Sequence, residues 1–255
     1  MSHTGAPQAM ADTPPPPRPV VERQLRLQHL PSRGQNVFYT LILLLSPLLN
    51  LLVNAFTYQD LRQAVQAHRH SVSALSWSIG LSGFLLASLL ALLWANLALA
   101  LWRHHHTIRR TLLLFGVVSS LYLIDNLITL AVAIFAVKIQ SIELLLIAIG
   151  IYLSVNMVFL FWYWYLDYPS HIRQLHHPDQ ALEILFPENA LPGHQRWLPG
   201  FLDYLFFTVI TSNTLGPPES HVVLGRRGRL VQMLHSVIML VLLVIVVSRA
   251  INTLV

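Results

Sequence analysis

Cysteine is absent from this chain of 255 residues, which excludes disulfides, thiolate zinc sites and cysteine nucleophiles. Charge is scarce: charged residues make up 11% against 55% hydrophobic, and the mean hydropathy of +0.57 exceeds what a soluble domain of this size can bury. Also missing are a Gly-x-Ser-x-Gly elbow, a His-Glu-x-x-His helix and a phosphate-cradling glycine loop, so no enzyme, catalytic residue, cofactor or resident metal is expected. No ladder of arginines recurs at every third position, which argues against voltage sensing. The basic run Arg103 to Arg110, with His104, His105 and His106, suits contact with anionic lipid better than metal, because neighbouring cations repel a metal ion, and no nucleic-acid partner is expected.

What the chain does have is long apolar segments. Five stretches of about 20 residues or more are too long and too continuous for porin strands, which alternate in polarity over about ten residues. The expected fold is an all-α integral membrane protein with five transmembrane helices and one re-entrant half-helix, multi-pass in a membrane of bacterial inner-membrane type. Residues 1–36, with Pro14 to Pro17 in one run, read as a disordered arm lacking a signal peptide, so the first span itself would target the chain. Residues 37–141 hold three leading spans: Val37 to Phe56, Leu75 to Trp102 and Leu112 to Val137. A fourth span, Ile142 to Leu166, closes on Trp162, Tyr163, Trp164 and Tyr165 as an interfacial aromatic anchor.

Residues 167–199 are polar and carry five prolines, which predicts an extramembrane segment with a short amphipathic turn near Ala181 to Phe186. Gly200 to Asn213 is apolar for only about 14 residues, too few to cross a hydrocarbon core of about 30 Å at about 1.5 Å per residue. A loop over 214–229 and a last span over 230–255 follow. This order of elements is that of a pore loop. Non-helical backbone at membrane depth is tolerated only beside protein or a water-filled cavity, and the C-terminal dipole end of a half-helix favours a cation beyond it.

Phe206-Phe207-Thr208-Val209 with Thr211, Thr214, Leu215 and Gly216, followed by Gly228-Arg229-Leu230-Val231, resembles the pore module of tetrameric potassium channels over residues 142–255. The resemblance implies an outer helix (142–166), a pore half-helix (200–213), a filter and an inner helix (230–255), assembled as a homotetramer in the lipid bilayer and passing monovalent cations. Against the family's filter Thr-Thr-Val-Gly-Tyr-Gly-Asp stand Asn213, Thr214, Leu215, Gly216, Pro217, Pro218 and Glu219. Proline has its φ locked near −65° and cannot take the glycine geometry at Pro218. Stacked carbonyl rings are therefore not expected, and the departure implies a wider, poorly selective cation pore or a non-conducting scaffold. Asn213, Thr214 and Glu219 would line such a pore; they equally suit a helix cap and a solvated loop acid.

Two further features bear on function. Asp125 and Asn126 lie midway along the third span, where a carboxylate must be protonated, paired or wetted, so they mark either a helix–helix hydrogen bond or an ion or proton pathway, as in a transporter or membrane enzyme centred on Asp125. Asn50, Asn54, Asn96 and Asn156 are candidate partners. His235, early in the last span, is either a satisfied buried histidine or a pH-sensitive group on the pore axis. With the N-terminus inside, twelve of the sixteen Lys and Arg residues fall on the cytoplasmic side, which predicts a pore loop facing the cytoplasm, as in ionotropic glutamate receptors and opposite to potassium channels.

Overall fold

The computed structural model describes residues 38, 72–101, 105–136, 141–177, 179–191 and 197–254. The predicted first span, with Asn50 and Asn54, and the arm before it lie outside the described residues apart from Phe38, whose ring meets Phe201 edge-on at 5.1 Å. Five long elements follow: α1 (Val72–Leu101), α2 (His105–Ala136), α3 (Ser141–His176), α4 (Phe201–Thr214) and α5 (Arg226–Leu254). Two residue pairs, β1 (Ile184–Leu185) and β2 (Val222–Val223), form a small antiparallel ladder, and a 3₁₀ turn covers Pro187–Ala190. Three helical stretches are long and apolar enough to cross a membrane: Arg109–Ile128, Leu145–Leu175 and Arg226–Ser248. Leu81–Asn96 is a shorter apolar helix.

The helices differ from the predicted spans mainly at polar ends. α2 starts seven residues before Leu112, since Arg109 and Arg110 are good helix formers whose heads can stay in water. α3 runs ten residues past Leu166, through Pro169. A mid-helix proline costs about 3 kcal/mol or more, so this extension needs tertiary support, which Asp167 and Ser170 supply. Of the turn expected near Ala181 to Phe186, only Ile184 and Leu185 take regular structure, as the strand β1.

Polar pairs set the helix registers. Asp125 accepts from the Ser82 hydroxyl, and Asn96 Oδ1 accepts from Thr111 Oγ1. These two contacts are 14 residues apart along both α1 and α2, as an antiparallel hairpin requires. Asn126 donates to the Tyr122 carbonyl of its own helix. The intramembrane Asp125 is thus paired across a helix interface and buried. α2 packs on α3 where Gly116 lies under Phe161: a Cβ at that glycine would stand 2.3 Å from Phe161 Cε1, so only glycine admits the ring. Trp162 Nε1 donates to Ser120 Oγ at 2.9 Å on the same seam.

Candidate functional site

α4 is held between α3 and α5 by residues on one face of α3. Tyr152, Asn156, Tyr163, Asp167 and Ser170 recur at helical spacing, each offering a hydrogen-bonding group toward α4, α5 or β1. α4 starts beside Asp167. Asp203, at its third position, accepts from the Gly200 N–H at 2.7 Å and puts negative charge at the positive end of the helix dipole. One residue on, the Tyr204 hydroxyl donates to Asp167 Oδ2 at 2.7 Å.

Asp167 is fully buried. Its Oδ1 accepts from the Ile184 N–H at 2.8 Å and from Ser170 Oγ at 3.2 Å, while His171 Nε2 lies 3.0 Å from Oδ2. A buried carboxylate is tolerable only when so satisfied. One side chain therefore ties α3 to α4 and to β1.

Deeper along α4, the buried Ser212 donates to Asn156 Oδ1 at 2.9 Å. The Asn156 amide nitrogen is committed to the Tyr152 carbonyl at 2.9 Å, so its oxygen must accept. Ser212, having spent its single proton, accepts from His235 Nε2 at 2.9 Å, which leaves His235 Nδ1 to accept from the Tyr163 hydroxyl at 3.2 Å. Phe159 stacks flat on the imidazole, with centroids 4.2 Å apart and planes 10° off parallel. His235 is completely buried within the chain, joining α3, α4 and α5, and does not line an open surface.

The segment predicted to act as filter folds as a helix end and a tight turn. Asn213 and Thr214 are the last residues of α4, both exposed, and Asn213 Oδ1 accepts from the Tyr152 hydroxyl at 3.1 Å. Leu215 stops the helix in the left-handed region at φ 55°, ψ 27°, a conformation costly for a residue with a Cβ. Thr214 Oγ1 sits 2.8 Å from the Ile210 carbonyl and 2.9 Å from that of Gly216. Pro218 is buried, and its carbonyl accepts from the His221 N–H at 2.8 Å. Leu215, Pro217 and Glu219 are exposed, and Gly216 is half-buried.

The chain then returns to the level where α4 began. Val222 and Val223 pair with Leu185 and Ile184, the latter being the residue anchored on Asp167. The Glu183 carbonyl accepts from the N–H groups of Leu224 and Gly225, and the Glu183 carboxylate lies on Gly225 at the start of α5. A Cβ at Gly225 would stand 1.4 Å from Glu183 Oε2. Glycine at this point lets a carboxylate reach the electropositive end of α5.

The exposed arginines gather at this same end. Arg226, Arg227 and Arg229 open α5, and Arg173 closes α3. Arg109 stacks over Tyr165 at 5.5 Å. None of them pairs with a carboxylate among the described residues. Among those residues there is also no group of three or more His, Asp or Glu arranged to hold a metal ion.

Sequence reasoning missed Asp167, Tyr204, Ser170, Glu183, Ser212 and Tyr163 as partners. The available signal was the stripe on α3, where hydrogen-bonding side chains recur every three or four residues through an apolar helix. Comparison with known proteins gives no match to the chain among family models, curated proteins or solved structures.

Proposed function

We propose that this chain is a subunit of a channel-like membrane protein, with α3 as outer helix, α4 as re-entrant half-helix and α5 as inner helix. The observation that carries the reading is the depth and exposure of the end of α4. That end meets α3 at Tyr152 and Asn156, seven and eleven residues past the start of the apolar stretch Leu145–Leu175. α4 spans only about 21 Å at about 1.5 Å per residue, and the following segment comes back to the Asp167 level within ten residues. A polar end bearing Asn213 and Thr214, exposed at mid-depth of an apolar helix, is costly against lipid. It becomes acceptable when water or further copies of the chain cover it.

Four such ends around an axis would surround a short polar pore. The negative end of the α4 dipole favours a cation there, and a ring of Glu219 carboxylates would concentrate cations at the mouth. The turn at Pro217 and Pro218 supports weak selectivity over a stack of carbonyl rings. The arginines gathered at the loop's end of the bundle support a cytoplasmic orientation of that end.

A second reading, a non-conducting scaffold of the same architecture, is favoured by one observation: the Pro218–His221 turn closes on itself, and its backbone is used internally. Reconstitution of the purified protein in a planar bilayer separates the two. Cation currents that discriminate poorly between sodium and potassium and exclude chloride are expected. Silence under all gradients, from a protein that remains folded, would favour the scaffold.

A further inference from the structure

The returning limb, residues 215–223, is tied at its far end by the β1–β2 ladder and holds few anchors before it. Leu215, Pro217, Glu219 and Ser220 are exposed, and only Pro218, His221 and Val223 are buried. The His221 ring is wedged among three phenylalanines: Phe186 edge-on at 5.1 Å, Phe207 at 5.5 Å and Phe206 at 6.1 Å. Phe206 and Phe207 belong to α4, whereas Phe186 follows β1. The imidazole is therefore the plug that fixes the limb to both walls of its pocket. Its Nδ1 lies 3.0 Å from the hydroxyl of Ser220, a neighbour on the limb itself.

We propose that His221 is an acid-released latch for this limb. A neutral imidazole suits an apolar pocket, and an imidazolium must be desolvated to stay there. The charged groups facing it are Glu188 on the 3₁₀ turn and Asp203 on α4, both of which attract the proton. Asp203 already accepts from the Gly200 N–H, and burial outweighs both acids, holding the imidazole below its ordinary value of about 6.5. The sign follows from linkage: the released limb binds the proton more readily than the docked one, so docking is at full strength above about pH 6.5 and weakens as pH falls below it. The latch is independent of the channel reading; if the chain conducts, release would reshape the mouth that carries Glu219.

The absence of native cysteine makes a clean test. A single cysteine at the buried position 218 (Pro218→Cys) reports release of the limb by its maleimide labelling rate in liposomes, with the same rate in His221→Phe as reference at each pH. Phenylalanine fills the pocket without titrating, and both proteins retain Glu188 and Asp203, so thiol and carboxylate titration cancel in the ratio. The ratio of native to His221→Phe rates is expected to rise severalfold between pH 7.5 and 5. A His221→Gln variant, neutral but smaller, should label faster than native at pH 7.5 and show no further rise. A ratio that stays flat across this range would overturn the latch, as would a Gln variant that keeps the native profile.

Discussion

Tyr204 donates its hydroxyl to Asp167 Oδ2 across 2.7 Å, joining the first turn of α4 to the point where α3 leaves its apolar run. Because Asp167 also accepts from the Ile184 N–H, the same carboxylate fixes where the chain enters α4 and where β2 brings it back. The start of the short helix and the β1–β2 ladder share one buried side chain.

This anchor predicts a graded loss of stability. Tyr204→Phe keeps the ring and removes one donor from a buried carboxylate, at a cost of about 1–3 kcal/mol. Asp167→Ala strands the Ile184 N–H, the Tyr204 hydroxyl and His171 together, at about 3–5 kcal/mol. Chaotrope unfolding in detergent, followed by tryptophan fluorescence, should rank native above Tyr204→Phe above Asp167→Ala. Equal midpoints for all three would remove Asp167 as the organising group.

Gly225 is predicted to hold a place for the Glu183 carboxylate. Gly225→Ala pushes that carboxylate off the start of α5 and should destabilise the protein by about 0.5–1 kcal/mol, the worth of a charge at a helix end. Combining it with Glu183→Ala should recover part of that loss, with a coupling of at least about 0.5 kcal/mol in a double-mutant cycle. Strict additivity in the same unfolding assay would show that the two residues do not meet.

Glu219 is expected to act on ions by field alone. Glu219→Gln should lower single-channel cation conductance severalfold near 0.01 M salt, where the Debye length is about 30 Å. It should change little at 1 M, where that length is about 3 Å. A deficit that is the same at both ionic strengths would mean that the carboxylate touches the permeant ion.

Much of the helical plan was legible in the amino acids because apolar runs longer than any strand admit few solutions. The 14-residue α4 stood out through its length and its bracketing prolines, and its bounds shifted by one residue. Legibility ended where partners are distant in sequence. Asp167, Ser170 and His171 read as the polar start of a loop, since nothing local tells that Ile184 and Tyr204 satisfy them. The two-residue strands are too short to show a period, and Gly225-Arg-Arg-Gly-Arg read only as a basic turn because its glycines answer to Glu183, 42 residues earlier. For His235, the sequence left two readings; the seam formed by Tyr163, Ser212 and Asn156 makes it a buried joint.

Inter-subunit cross-linking at the end of α4 tests the central proposal most directly. In the naturally cysteine-free chain, single cysteines at Asn213, Thr214 and Glu219 should form dimers on mild oxidation in native membranes, and a bifunctional thiol reagent should extend the ladder to tetramers. Cysteines at Leu113 or Ile124, exposed on α2, should stay monomeric. Cross-links at the α2 positions with none at the end of α4 would contradict a shared axis at this loop.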